Sequence, residues 1–235
     1  MAMLRLDKLI SDSGLYSRSE AVSLIKQGRV TVDGIVFRSN SGKINPELAQ
    51  IHIDNELFKF SKFVYLMMNK PQGFVSATGD RHERTVMELL DERFLKLGLF
   101  PAGRLDKDTE GFLLLTNDGG FAHKITSPNS KVKKRYFVKI DGIVSDADIS
   151  SFACGITLAD GTKCLPAVLE PTPGGAFVTL LEGKYHQVKR MMASIGKPVI
   201  FLKRVAIGNL ELDETLAPGQ YRDISEHLHL LTREI

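Results

Sequence analysis

The string GRLDKDTEGFLLLTNDG, residues 103–119, carries the side chains best placed to do chemistry. Asp106 sits in a glycine-bracketed stretch of charged residues that leads into Phe112–Leu115, a run apolar enough to require burial. A carboxylate in that setting is partly desolvated and needs a cationic partner to stay ionised. Arg104, two residues earlier, is one candidate. Lys189 and Arg190 in EGKYHQVKRM, residues 182–191, are others, on a predicted amphipathic helix whose Val188, Met191 and Ile195 should face the core. An ionised and aimed carboxylate can serve as a nucleophile or as a general base. It can also simply cap or brace a turn, and the residues by themselves leave both readings open.

Other chemistries find less support. His186 lies close to Lys189, but a helix histidine near a core is usually structural, and His82, His123, His227 and His229 are scattered without metal-ligand spacing. Cys154 and Cys164 stand ten apart with no CxxC pair, so neither a disulfide framework nor a zinc site is indicated. Asp106 with Asp108 or Glu110 could suggest paired carboxylates of the glycosidase kind, yet nothing else in the chain points to a sugar cleft.

The elements that must position these residues follow from periodicity. VYLMMN (64–69), FLLLT (112–116), RYFVKI (135–140), AVLEP (167–171), AFVTLL (176–181) and VIFLKRV (199–205) read as strands. TVMELLDERFLKLG, SDADISSFACG and KYHQVKRMMASIG have helical spacing, the last stopped by Gly196 with Pro198 beyond. Strands and helices mix without a strict βαβ alternation, which predicts an α+β fold. Ahead of them, Leu6, Leu9 and Ile10 fit one helical face, and Ser17-Arg18-Ser19-Glu20 has the form of a capping box opening a second helix that ends at Gly28. Val30 and Val32 then alternate with polar neighbours up to an Asp33-Gly34 turn. The texture changes near residue 60, giving an expected small domain over 1–60 and a larger one over 61–235.

The 235 residues are 43% hydrophobic and 25% charged, enough to bury a core and against disorder. No apolar stretch approaches a membrane span, and charges in MAMLRLDKLISDSG occupy the place of a signal peptide's apolar region, so a cytoplasmic protein is expected. The net charge of +3 is a weak sign of a polyanionic partner. Residues 1–45 alone hold seven basic and four acidic side chains and so account for that excess. From charge alone, Arg5, Lys8, Arg18, Lys26 and Arg29 could meet phosphates or merely form a solvated helix face.

The order of residues decides between these readings. LRLDKLISDSGLYSRSEAVSLIKQGRVTVDG, residues 4–34, resembles the S4 RNA-binding module, whose helix pair and following turn dock on structured RNA. GRLDKDTEGFLLLTNDG resembles the signature of the RsuA-type pseudouridine synthases, which act on ribosomal RNA. MNKPQGFVSA (68–77), KKRYFV (133–138) and GKYHQVKRM (183–191) are similar to that family's other motifs, in the same order, so the resemblance spans nearly the whole chain.

It implies an N-terminal S4-like domain followed by a catalytic domain with a mixed, mainly antiparallel sheet. It implies that Asp106 is the essential carboxylate and that Arg104 helps to keep the target nucleotide out of the RNA helix. Tyr136 would stack on the flipped uracil and Leu202 would pack against it. Lys189 would pair with Asp106, as a point charge where related families have the arginine fork. Arg5, Lys8, Arg18, Lys26, Arg29 and Lys70 would contact RNA. No cofactor is implied, because the reaction moves the ribose bond from N1 to C5 of the same base. Large-subunit relatives often carry a long basic C-terminal tail or lack the S4 module, whereas this chain has the module and stops soon after LAPGQYRDISEHL. The expected substrate is therefore 16S rRNA, free or in a partly assembled small subunit, and the expected state is a monomer. The same reaction on 23S rRNA and a non-catalytic S4-domain assembly factor are the alternatives.

Overall fold

The computed structural model describes residues 3–39, 42–46 and 48–232. The chain divides into two compact units, Met1–Phe63 with Leu90–Leu99, and Val64–Leu89 with Phe100–Ile235.

In the first unit, strand β1 (Leu4–Arg5) precedes helices α1 (Leu6–Ser11) and α2 (Arg18–Lys26). The capping box forms as the sequence predicts: Ser17 Oγ accepts from the Glu20 amide and Glu20 accepts from the Ser17 amide. Gly28, at φ +71°, ends α2. Strands β2 (Val30–Val32) and β3 (Ile35–Val36) form a hairpin through Asp33-Gly34, both at positive φ, as a tight primed turn requires. After β4 (Lys43–Ile44), which pairs with β1, strands β5 (Ile51–Ile53) and β6 (Glu56–Leu57) complete a four-stranded sheet in the order β3-β2-β5-β6. Leu6, Leu9, Ile10, Leu24 and Ile25 pack on Val30 and Ile51 to make the core. Helix α3 (Glu92–Lys96) groups with this unit although Val64–Leu89 of the other unit intervene in the chain.

The second unit is one sheet. Its strands are β7 (Tyr65–Lys70), β8 (Phe100–Ala102), β9 (Glu110–Thr116), β10 (Lys134–Ile140), β11 (Val168–Thr172), β12 (Gly175–Leu180), β13 (Val199–Ile207), β14 (Leu210–Glu211) and β15 (Tyr221–Asp223). The main path runs β11-β12-β10-β13-β9-β7-β15, and every pairing is antiparallel except β9 with β13. Burial explains the order. β7 is buried at all six positions and β9 at six of its seven, so both are covered on each face, whereas β10 and β12 alternate and bury one face. Gly111, at φ +100°, lies where β9 meets β13, and a Cβ there would stand 2.2 Å from the Arg204 carbonyl oxygen. Only glycine permits the two backbones to close on each other.

Helices α4 (Gly119–Thr126), α5 (Asp146–Cys154), α6 (Gln187–Ser194) and α7 (Leu228–Leu231) complete the unit. Two differences from the predicted elements bear on the site. The helix read over TVMELLDERFLKLG is a 3-10 turn, Val86–Leu89, followed by α3. The helix read from Lys184 begins only at Gln187, because Gln187 Oε1 takes up the Lys184 amide and His186 adopts a left-handed conformation with φ 48°. Among the described residues no helix is long and apolar enough to cross a membrane.

Candidate active site

The loop between β8 and β9 carries Asp106, and the segment after β7 holds that loop by its backbone. Lys70 is fully buried, and its ammonium donates to the carbonyls of Asp106 (3.0 Å), Thr109 (2.9 Å) and Pro71 (3.0 Å). Ser76 Oγ donates to the Leu105 carbonyl and accepts from the Leu105 amide, each at 3.0 Å. The Gly73 amide donates to the Lys107 carbonyl at 2.8 Å. Within the loop, Thr109 N–H closes a turn on Asp106 O at 3.1 Å. The MNKPQGFVSA string is thus a cradle for the GRLDKD loop. Burial lowers the Lys70 ammonium to about 8, while Asp106, Asp108 and Glu110 pull it the other way. Lys70, expected to contact RNA, is corrected by this placement: a side chain with no exposed surface, spent on loop carbonyls, presents nothing to a phosphate.

Helix α6 brings the partners of Asp106. Lys189 Nζ lies 3.0 Å from Asp106 Oδ2 and 2.5 Å from Asp108 Oδ1, and His186 Nε2 lies 3.4 Å from Asp106 Oδ1. Partial burial works against the Lys189 charge, but the bonds to Asp108 and Asp106 outweigh it and hold the ammonium above its ordinary value. The same bond holds the Asp108 carboxyl below the usual range. The start of α6 is itself braced, since Gln187 Nε2 donates to the buried Glu182 at 2.7 Å and Lys184 Nζ reaches the other oxygen of Glu182 at 2.6 Å.

Asp106 opens on a cleft of about 790 Å³, counting its mouth. Tyr136 on β10 and Leu202 on β13, both buried, line it together with Arg104, which is exposed at the rim. The structure therefore brings four of the five residues proposed for the chemistry, Asp106, Arg104, Tyr136 and Leu202, to one cavity, and Lys189 joins the site through its ion pair with Asp106 at 3.0 Å. Three further residues of the cleft went unassigned in the sequence. His186 was set aside as structural, yet it faces Asp106. Arg204 and Lys134 are buried cations on the cleft side of β13 and β10. Strand alternation from Leu202 and from Tyr136 was the signal that could have found them.

The first unit displays its basic residues differently from one another. Arg5 is bound by the buried Asp7 at 3.0 and 2.9 Å, and Arg18 stands 3.9 Å from the same carboxylate. Arg29 forms a fork with Asp54 at 2.6 and 2.5 Å. Lys8 and Lys26 are exposed and belong to no ion pair among the described residues.

Comparison with known proteins agrees with this architecture. Residues 64–194 match the RNA pseudouridylate synthase family and residues 4–47 the S4 domain. The chain is 44% identical over 227 residues to ribosomal small subunit pseudouridine synthase A of Escherichia coli K12, covering 95% of this chain and 97% of that protein. It is 44% identical over 234 residues to the uncharacterized RNA pseudouridine synthase YtzG of Bacillus subtilis, covering 97% and 98%. A crystal structure of a pseudouridylate synthase superposes with a TM-score of 0.68 at 38% identity, covering 97% of this chain and all of that one. A carboxylate loop, a cationic helix and the cleft between them, on a chain matched almost from end to end, thus lead to one assignment: the chain belongs to the RNA pseudouridylate synthase family.

Proposed function

We propose that this chain, acting as a monomer in the cytoplasm, converts a uridine of 16S rRNA into pseudouridine, with Asp106 as the catalytic carboxylate. The substrate is the free rRNA or a partly assembled small subunit. The observation that carries the reading is the Asp106–Lys189 ion pair, 3.0 Å apart, at a cleft lined by Tyr136 and Leu202. The likeness to a synthase named for the small subunit favours 16S over 23S rRNA.

The target base must leave its stack to reach Asp106, which costs a few kcal/mol. Stacking on Tyr136 and packing on Leu202 offset part of that cost, and Arg104 at the rim keeps the vacated helix from reclaiming the nucleotide. Lys189, 3.0 Å away, keeps the Asp106 carboxylate aimed. The carboxylate then attacks the sugar or the base, or draws off a sugar proton to give a glycal. Each route needs the same ionised, oriented group. Arg5, Lys8, Arg18, Lys26 and Arg29 supply the grip on RNA phosphates, in which shape counts for more than sequence.

Carbodiimide mapping of pseudouridines in both rRNAs, from cells with the gene, without it and with Asp106→Asn in its place, tests this. One 16S position should lose its modification in the second and third strains. An unchanged map overturns the reading, and a loss confined to 23S rRNA overturns the target.

A further inference from the structure

Strand β13 carries a second cation into the cleft. Arg204 lies two positions after Leu202, on the same face, opposite Tyr136 of β10 in the register. It is only 4% exposed. Its Nε–H donates to the Phe112 carbonyl at 2.7 Å, and among the described residues that is the one hydrogen bond of the guanidinium. Nη2 is buried without any partner. Among the described residues no carboxylate pairs with Arg204, and the one hydrogen bond of its neighbour Lys134, also buried, goes to the Ile125 carbonyl at 3.1 Å. A guanidinium cannot lose its proton to escape such a site, and native folds rarely leave buried donors unused. The guanidinium carbon stands 6.0 Å from the centre of the Tyr136 ring, so a base lodged against that ring comes within reach of the free N–H groups. Burial first, and the Arg204 charge after it, press the Lys134 ammonium down to about 8.

We propose that Arg204 is a catalytic residue that donates from Nη to a carbonyl oxygen of the flipped uracil and stabilises the negative charge this base acquires during isomerisation. The inference rests on the function proposed above. When the N1–C1′ bond breaks, its electron pair stays with the base and spreads from N1 to O2 and O4. If the carboxylate first adds to C6, the charge again collects on O4. C5 then bonds to C1′, any bond of the carboxylate to C1′ or C6 breaks with its electron pair returning to the carboxylate oxygen, the C5 proton leaves and N1 takes up a proton, so nothing is oxidised and no further reactant is consumed. A fixed donor aimed at the growing charge in a dry site acts on the barrier more than on binding. A merely structural Arg204, bracing Phe112, would be indifferent to which atom occupies the base's carbonyl positions.

Sulfur in place of a carbonyl oxygen is a poor acceptor, and this separates the two roles. Single-turnover rates at saturating RNA are measured for target strands carrying uridine, 2-thiouridine or 4-thiouridine, with wild type, Arg204→Gln and Arg204→Lys. For wild type, one of the two thio substrates should react at least ~10-fold more slowly than uridine. Arg204→Gln should lose about 100-fold on uridine, the usual effect of deleting one such donor, and its thio penalty should shrink to about 2-fold. Arg204→Lys, which retains the cation and the fold, should recover part of the rate. Equal thio penalties in wild type and Arg204→Gln, or no penalty in wild type, overturn the proposal. Should the glutamine variant not fold, the same comparison between wild type and the lysine variant decides. A wild-type enzyme inactive on unmodified RNA would instead overturn the functional reading beneath it.

Discussion

Lys189 Nζ lies 3.0 Å from Oδ2 of Asp106, and each side chain keeps about a quarter of its surface exposed. The pair is wet enough to be reached by substrate and dry enough for the attraction to orient the carboxylate. Asp106→Asn preserves the shape of the side chain and removes the charge, so it should abolish product while the melting temperature and the RNA dissociation constant stay near wild type. Lys189→Met should lower kcat by about 100-fold, a typical share for a group that orients a reacting side chain, with Lys189→Arg falling between. Quantifying pseudouridine in a purified substrate checks both. Wild-type rates in Asp106→Asn would dismiss the assignment.

Lys70 gives a different kind of prediction, because it touches only backbone. Lys70→Met relieves the cost of burying a charge but leaves the Asp106 and Thr109 carbonyls without a donor. These effects oppose each other, so global stability should change by only about 1 kcal/mol, whereas kcat should fall at least ~10-fold with KM little altered. Steady-state kinetics beside a thermal melt reads both quantities, and an unchanged kcat would mean that the ammonium merely fills space.

Stability at low pH should depend on α5. Ser145 and Asp148 form a capping box, and Asp148 also pairs with Lys197 at 2.8 Å. The Lys197 ammonium, with help from the Ser145 amide and hydroxyl, brings the Asp148 carboxyl down to about 2. Its folded value lies below its unfolded one, so the contribution is complete above about pH 4 and drains away as pH falls through about 2. The amount is about 2 kcal/mol. Melting curves of wild type and Asp148→Asn should differ at pH 6 and converge toward pH 2.

Among the described residues Lys8 and Lys26 have no ion partner to give up on meeting RNA, unlike Arg5 and Arg29. Lys8→Ala and Lys26→Ala should each weaken RNA binding and reduce the slope of log K against log salt by about 0.7–0.9, while kcat on saturating RNA holds. Filter binding across a salt series measures this. An unaltered slope would remove the residue from the interface.

The sequence was most legible where a local rule acts alone. Ser17 and Glu20 announce α2 by a two-residue reciprocity, and the apolar run at Phe112–Leu115 announces a central strand by composition. Asp106 could be singled out because a charge beside such a run demands an explanation. Legibility failed where tertiary context overrides the local signal. A lysine is expected on the surface, and only the loop carbonyls folded around Lys70 reverse that expectation. Helix α4 opens on Gly119-Gly120, poor helix formers, and depends on Asp118 accepting the Phe121 amide at 2.9 Å. The two- and three-residue strands β8, β14 and β15 are too short to show alternation and exist because a neighbour's edge is there to pair with. Grouping Leu90–Leu99 with the first unit is a long-range event invisible to any local window.

The bare Cα of Gly111 has a mechanical meaning. Because the Gly111 main chain rests on the Arg204 main chain where β9 meets β13, β9 puts no side chain between them to be thinned, thickened or slipped. The carboxylate's loop enters from one of these strands, and the apolar wall and arginine belong to the other. The gauge of the opening between them is thus set by covalent dimensions, and diversification of which nucleotide is admitted is left to the surrounding loops.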